Sequence, residues 1–242
     1  MKIAAIESSG LVASVAIWAD DVMLAEYSVD YKKTHSQTLL PMLDEIVRMT
    51  ELDKKDLDVI AISSGPGSFT GLRIGSATAK GLGFALDIPL VEVPTLEAMA
   101  YQLYGFDGLI CPMMDARRGQ VYTGLYTFGA DLEFETVVRH CALPAADILE
   151  KINENGNRVI FQGEGAAVNR KLIEESMKVP FFFAPAHASR QRSGALAALA
   201  AEYYKKGRTV TADAHSPEYL RLSQAERERL ERESCGDHRG NK

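Results

Sequence analysis

A protein that handles phosphate needs backbone N–H groups gathered at a turn, with a carboxylate nearby to hold magnesium or orient water. Two turns offer the N–H groups. Ser8-Ser9-Gly10 follows an apolar run ending in Glu7, and Gly65-Pro66-Gly67 follows a second run ending in Ser63-Ser64. A residual phosphate site would use Ser8, Ser9 and Gly65; a plain hairpin turn is the competing reading of the first turn. Glu7 is the one acid beside it, and Leu11 and Val12 come next. The Gly65 turn lacks the Gly-Lys-Ser/Thr of a P-loop and the Gly-x-Gly-x-x-Gly of a dinucleotide site. Ser68 lies one step out of register for a Gly-x-Ser-x-Gly elbow. The histidines (His35, His140, His187, His215, His238) are scattered. With no pair at i, i+4, a metal site built on one helix is not expected. Asp115-Ala116-Arg117-Arg118-Gly119 reads as a salt-bridged turn or as a contact for a partner or ligand. Gly163-Glu164-Gly165 precedes a helix whose N-terminus would favour an anion, but Glu164 would repel it.

The glycine turn at 65–67 must join a strand over Val59 to Ile62 to a helix, since neither element could absorb it. Ser68 or Thr70 offers the capping oxygen. Along that helix Gly71, Gly75, Ala79 and Gly83 recur every four residues, giving one face almost without side chains. Each interior glycine costs about 0.8–1 kcal/mol relative to alanine. Such a helix must recover the loss through close packing, and the ridge alone does not say against what.

The same reading extends to the whole chain of 242 residues. Three strands (Ile3 to Glu7, Ala13 to Trp18, Val22 to Val29) precede a helix near Ser36 to Met49. The Val59 strand and the ridged helix to Leu86 follow, then a strand at Leu90 to Val93 and a helix near Leu96 to Leu103. Strands near Leu109 to Met114, Gln120 to Phe128 and Leu132 to Cys141 replay the opening. A helix near Ala145 to Asn153, a strand at Arg158 to Phe161 and a helix near Ala166 to Met177 come next. An alanine-rich helix, Gly194 to Tyr204, closes the globule. Two βββαβα units make mixed sheets with both faces covered. The expected fold is α/β, the two-lobed actin-like ATPase architecture shared with Hsp70 and sugar kinases (RNase H-like), with lobes at 1–105 and 106–221. A polar tail at 222–242 alternates Glu and Arg and reads as solvated.

Bulk composition narrows the function classes. With 46% hydrophobic and 25% charged residues the chain is ordinary for a soluble globule. No apolar run approaches the roughly 18–20 residues that span a bilayer. The opening is too short and too soon acidic for a secretory signal. Three cysteines, odd in number and far apart, fit a reducing cytoplasm rather than a disulfide framework. A net charge of -6 argues against strong unaided binding to nucleic acid.

Five blocks resemble the bacterial TsaB proteins. They are Ile3-Ala4-Ala5-Ile6-Glu7-Ser8-Ser9, Thr34-His35-Ser36-Gln37-Thr38-Leu39-Leu40-Pro41, Ser64-Gly65-Pro66-Gly67-Ser68-Phe69-Thr70-Gly71-Leu72-Arg73-Ile74-Gly75, Asp115-Ala116-Arg117-Arg118-Gly119-Gln120-Val121-Tyr122 and Pro217-Glu218-Tyr219-Leu220-Arg221. The resemblance implies a subunit of the machinery that makes threonylcarbamoyladenosine beside the anticodon of tRNAs reading codons that begin with A. There TsaD, a paralogue with the same fold, transfers the group, TsaB pairs with TsaD, and the ATPase TsaE acts on the pair. TsaD carries two metal-binding histidines where this chain aligns Thr95 and Met99, and an Asp-Glu where it has Leu11 and Val12. Neither threonine nor methionine replaces an imidazole. The implied protein has no catalytic or metal residue and requires no cofactor, with weak ATP or ADP binding left open.

What remains useful is a surface. The 36–49 helix has more apolar arc than one sheet face needs. The expected TsaD contact is Leu39, Leu40, Leu43, Ile46 and Val47 beside Gly71, Gly75, Ala79 and Gly83. The alternative is that both helices simply pack on their own sheet. On the first reading Gly75→Leu or Leu43→Glu breaks the heterodimer and leaves the monomer folded. A homodimer in isolation, tRNA reached only through the complex, and no membrane contact complete the expectation. The rival functions are a stand-alone actin-fold ATPase or kinase, and a metallopeptidase.

Overall fold

The computed structural model describes residues 1–31 and 34–220; the tail expected at 222–242 lies outside them. Two five-stranded sheets share one plan. In the first, β1 (Lys2–Glu7), β2 (Ala13–Ala19) and β3 (Val22–Val29) form an antiparallel meander, and β4 (Val59–Gly65) and β5 (Leu90–Pro94) continue parallel to β1. The order is β3-β2-β1-β4-β5. In the second, β6 (Leu109–Asp115), β7 (Gln120–Phe128), β8 (Phe134–Pro144), β9 (Val159–Gln162) and β10 (Phe181–Phe183) run β8-β7-β6-β9-β10, the same arrangement. The helices are α1 (His35–Met49), α2 (Phe69–Leu86), α3 (Thr95–Tyr101), α4 (Ala145–Asn155), α5 (Glu164–Val168), α6 (Arg170–Ser176) and α7 (Ser193–Lys205). This is the two-lobed actin-like architecture.

Strand alternation sorts the apolar residues into layers. Ala4, Ile6, Val15, Ile60 and Ile62 face α1 and α2, packing with Leu39, Leu43, Ile46, Val47 and Ala79. Ile3, Ala5, Ala16, Val59 and Ala61 face the opposite way, onto Leu196, Ala197, Leu199 and Ala200 of α7. In the second sheet Cys111, Met113, Val121 and Phe161 pack on Ile148, Leu149 and Ile152 of α4. The reverse face of that sheet meets Leu96, Met99 and Ala100, so α3 is the layer between the sheets.

Several expectations need correction. The division at 106–221 does not describe α7, which returns to cover the first sheet. The second sheet already has α3 on its inner face, whereas Ile3, Ala5 and Ala16 would otherwise be bare, and alanines let the helix come close. After α7, Val210 exchanges backbone hydrogen bonds of 2.9 Å with Leu90, and Ala212 enters the first lobe's core. The helix expected from 166 to 177 is two short ones, broken at Asn169, whose Nδ2 donates to the Gly165 carbonyl at 2.8 Å. Strand β10 was not foreseen. Among the described residues no helix is long and apolar enough to cross a membrane.

Candidate functional site

The first turn and the glycine loop are one packed unit. Ser8 and Ser9 are fully buried. The Ser9 N–H and hydroxyl both donate to Glu7 Oε1, at 2.7 and 2.5 Å. The Ser8 hydroxyl donates to the Gly71 carbonyl at 2.9 Å, and the Ser68 N–H donates to the Ser9 carbonyl at 2.7 Å. Ser68 caps α2, accepting from the Gly71 N–H at 3.3 Å.

This is what the glycine ridge meets. A Cβ on Gly71 would lie 2.1 Å from the Ser8 carbonyl oxygen, and one on Gly75 would lie 2.1 Å from Ser8 Oγ. Gly83 backs onto Leu90 and Ala212. The ridge lets the helix start sit directly on the end of β1. The residues expected at a partner contact are therefore mostly interior. Leu39, Leu43, Ile46, Val47, Gly71, Gly75, Ala79 and Gly83 are buried, and Leu40, 54% exposed, is the one on the surface. The alternative reading, packing on their own sheet, describes these eight. Gly75→Leu and Leu43→Glu would disrupt the monomer itself.

Ser8, Ser9 and Gly65 are likewise occupied. The hydroxyls of Ser8 and Ser9 and the Ser9 N–H already have acceptors, and the space beside Gly65 (φ +117°) holds the Glu218 carbonyl, 2.4 Å from where a Cβ would be. Burial pushes the Glu7 carboxyl upward, against the pull of the Ser9 hydrogen bonds. Thr95 and Met99 are buried on α3, with Met99 Cε packed beside Gly163. Among the described residues no three His, Cys, Asp or Glu side chains are grouped to hold a metal.

The remaining candidate turns are structural clasps. Asp115 Oδ1 accepts from the Arg117 N–H at 2.8 Å. Glu164 accepts from the Asp115 N–H at 3.3 Å and from Arg190 at 3.2 Å, so its charge is answered within the fold.

Sequence reasoning missed two features. The first is a strap, residues 209–220, drawn across the first lobe. Lys80 Nζ donates to the carbonyls of Asp213 and His215, at 3.2 and 3.0 Å. His215 Nδ1 donates to Glu92 Oε1 at 2.6 Å, and the Glu218 N–H donates to the Ser64 carbonyl at 2.7 Å. Glu218 also reaches His140 of the second lobe at 3.0 Å, and Tyr219 packs on Phe69 with the rings tilted by 39° and centroids 4.8 Å apart. The Pro217-Glu218-Tyr219 block is thus a lid over the glycine loop. The second is the outward face of α1 and α2. Ala77, Gly81 and Ala85 form another small-residue ridge, all exposed, and a Cβ on Gly81 would meet nothing within 4 Å. Leu40 and Met49 of α1 and Phe84 of α2 are also exposed, at 54%, 67% and 63%. Its four-residue spacing was visible in the sequence, two positions out of phase with the inner ridge.

Comparison with known proteins gives a consistent picture. A family model described as TsaD, tRNA N6-adenosine threonylcarbamoyltransferase, matches residues 25–229. The Bacillus subtilis (strain 168) tRNA threonylcarbamoyladenosine biosynthesis protein TsaB is 38% identical over 233 residues, covering 96% of this chain and 99% of that one. A Pseudomonas aeruginosa crystal structure, described by its similarity to peptidase YeaZ, superposes with TM-score 0.79 at 26% identity, covering 91% of this chain and 99% of its own. An Arthrobacter inorganic polyphosphate/ATP-glucomannokinase follows at TM-score 0.50 and 10% identity, covering 83% and 99%, a likeness of fold alone.

Proposed function

Because this chain belongs to the TsaB family of tRNA threonylcarbamoyladenosine biosynthesis proteins, we propose that it is a non-catalytic subunit that binds TsaD and supports transfer of the threonylcarbamoyl group to the adenosine beside the tRNA anticodon. One observation carries this reading. The groups that could have done chemistry at the first turn are consumed in holding that turn to α2, and Thr95 and Met99 are core residues.

The partner contact lies on the outer face of α1 and α2. Leu40 and Phe84 are apolar anchors there, and Ala77, Gly81 and Ala85 let a facing helix come close. A stable heterodimer needs about 800 Å² from each partner, which two helices of this length can supply. Because TsaD has the same fold, the same face pairs two copies of this chain when TsaD is absent. TsaE meets the assembled pair, tRNA is reached through the complex, and the setting is the cytoplasm. The role requires no cofactor on this chain, neither ATP nor ADP.

The test is reconstitution of the modification with TsaD, TsaE and the carbamoyl donor. Activity should require this chain and disappear with Gly81→Leu, while urea unfolding finds that variant at least as stable as the parent, since leucine replaces an exposed helical glycine with room around it. Normal TsaD binding by well-folded Gly81→Leu would move the contact elsewhere. Nucleotide hydrolysis at enzymatic rates by the isolated chain would restore the ATPase or kinase reading.

A further inference from the structure

We propose that the groove between the two lobes docks an extended protein segment, which adds as a strand to the free edge of β8 and lays a basic side chain on Tyr104. The groove encloses about 1000 Å³ between α3, the strand β8 with its preceding turn, and the end of α7. Since α7 covers the first sheet on the side away from α1 and α2, this surface is separate from the TsaD face proposed above.

The backbone supplies the first argument. Strand β8 is the last of its sheet, hydrogen-bonded to β7, and among the described residues no other backbone meets its outer edge. An edge of 11 residues with open N–H and C=O groups is a template for one more strand. The outer edge of β5, by contrast, is closed by Val210. An aromatic platform stands beside the start of β8. Tyr104 is 56% exposed, yet braced by Tyr101 and Phe128, with centroids 5.7 and 4.9 Å away. Such a ring face suits an ammonium or guanidinium. Charge points the same way, with five carboxylates on the walls against Arg139, Lys206 and Arg208, on a chain of net charge -6. Arg208 is spent on the Tyr203 ring, 3.6 Å from its centroid. Glu218, Glu202 and Glu97 are engaged by His140, Lys205 and the Tyr203 hydroxyl. Asp131 and Glu133 form no ion pair among the described residues. They sit on the turn from Phe128 to Phe134, cross-strand partners with centroids 5.3 Å apart, so the two acids lie at the Tyr104 end. Burial and then the Glu202 charge push the Tyr101 phenol upward, the mark of a field that favours a cation. Arg139 is further along β8, up to about 17 Å from Phe134 at about 3.3 Å per residue. An extended segment with its basic residue at Tyr104 therefore brings an acidic residue, about five positions on, to Arg139.

The experiment titrates the full chain into the fluorescein-labelled hexapeptide Arg-Thr-Val-Thr-Val-Glu at low salt, read by anisotropy and by amide exchange. Bound peptide should slow exchange along β8. Replacing the peptide arginine with citrulline, which keeps the shape and removes the charge, should weaken binding about fivefold, as should Tyr104→Ala. On Tyr104→Ala the citrulline peptide should lose little more, because ring and cation act as one contact. Asp131→Asn with Glu133→Gln should weaken binding about fivefold and flatten its salt dependence. These residues are exposed, and urea unfolding confirms that the variants fold. Spermidine, a cation with no strand to add, should compete poorly. Failure of the hexapeptide to bind, or an affinity indifferent to citrulline and to the folded variants, would overturn the proposal. So would binding that leaves exchange along β8 unchanged, or spermidine competing as well as the peptide, which would make the groove a pocket for small amines. Binding kept by Tyr104→Ala but lost with Gly81→Leu would move the peptide to the α1 and α2 face and overturn it too.

Discussion

The two glycine ridges of α2 have opposite sensitivities, and a single methyl group separates them. At Gly71 a new Cβ would press on a carbonyl oxygen that is part of the β1 backbone, so nothing flexible can yield. Gly71→Ala should therefore destabilise the protein at the upper end of the about 1–3 kcal/mol typical of overpacking. Gly81→Ala meets open space and should stabilise it by up to about 0.8–1 kcal/mol through helix propensity. Urea unfolding of the two variants checks the contrast. If both lose stability alike, the orientation of α2 is wrong. The ridge was legible in the sequence because a four-residue spacing of small side chains marks one face of a helix. Its direction was not. Periodicity says which residues share a face, and it is silent on whether core or solvent covers that face. Positions 77, 81 and 85 fall two residues out of phase, about 200° around the helix at about 3.6 residues per turn. Equal spacing thus described the inner and outer ridges alike.

Among the elements, the strap from 209 to 220 has the most to lose on acidification. The hydrogen bond from His215 holds the Glu92 carboxyl below its ordinary value of 4.5, with desolvation opposing. A carboxylate held low in the fold stabilises the folded state above its unfolded value, and that contribution is lost as pH falls through the lower folded value. Amide exchange protection along the strap should be steady from neutral pH down to about 5 and fall off below that. His215→Ala should remove about 1–3 kcal/mol at neutral pH, the cost of breaking a buried hydrogen-bonded partner, and speed proteolysis in the strap. Protection that stays level to pH 3 in the parent, or survives His215→Ala, would show that Glu92 does not anchor it. Most elements could be read from the chain: the three-strand openings, α1, α2 and β4 follow from alternation and capping. The strap could not, because it has no periodicity and is held by backbone carbonyls and scattered polar contacts. Phe181–Phe183 is too short for alternation to register, and the break in the 166–177 helix falls at Asn169, a residue type that favours caps and turns but is a weak signal when it stands alone in a helical run.

At the scale of the molecule, the order of the chain and the order of the layers disagree. The first sheet is covered on one side by α1 and α2 and on the other by α7, which arrives about a hundred residues after β5. A fragment of residues 1–105 leaves Ile3, Ala5, Ala16 and Val91 open to water. It should be insoluble or lack a cooperative unfolding transition, and a peptide of residues 186–220 added in trans should restore both. A soluble, cooperatively unfolding 1–105 fragment would contradict this. The duplication of βββαβα units predicts two equivalent halves, and the sheets follow it; a helix that serves the other half has no local mark, since an alanine-rich stripe suits either sheet. The return of α7 also sets a schedule. During synthesis the second face of the front sheet has no cover until α7, about a hundred residues after β5, has left the ribosome. Until then α1 and α2 rest on a half-bare sheet, and a companion subunit that grips them meets a settled surface only after α7 has docked.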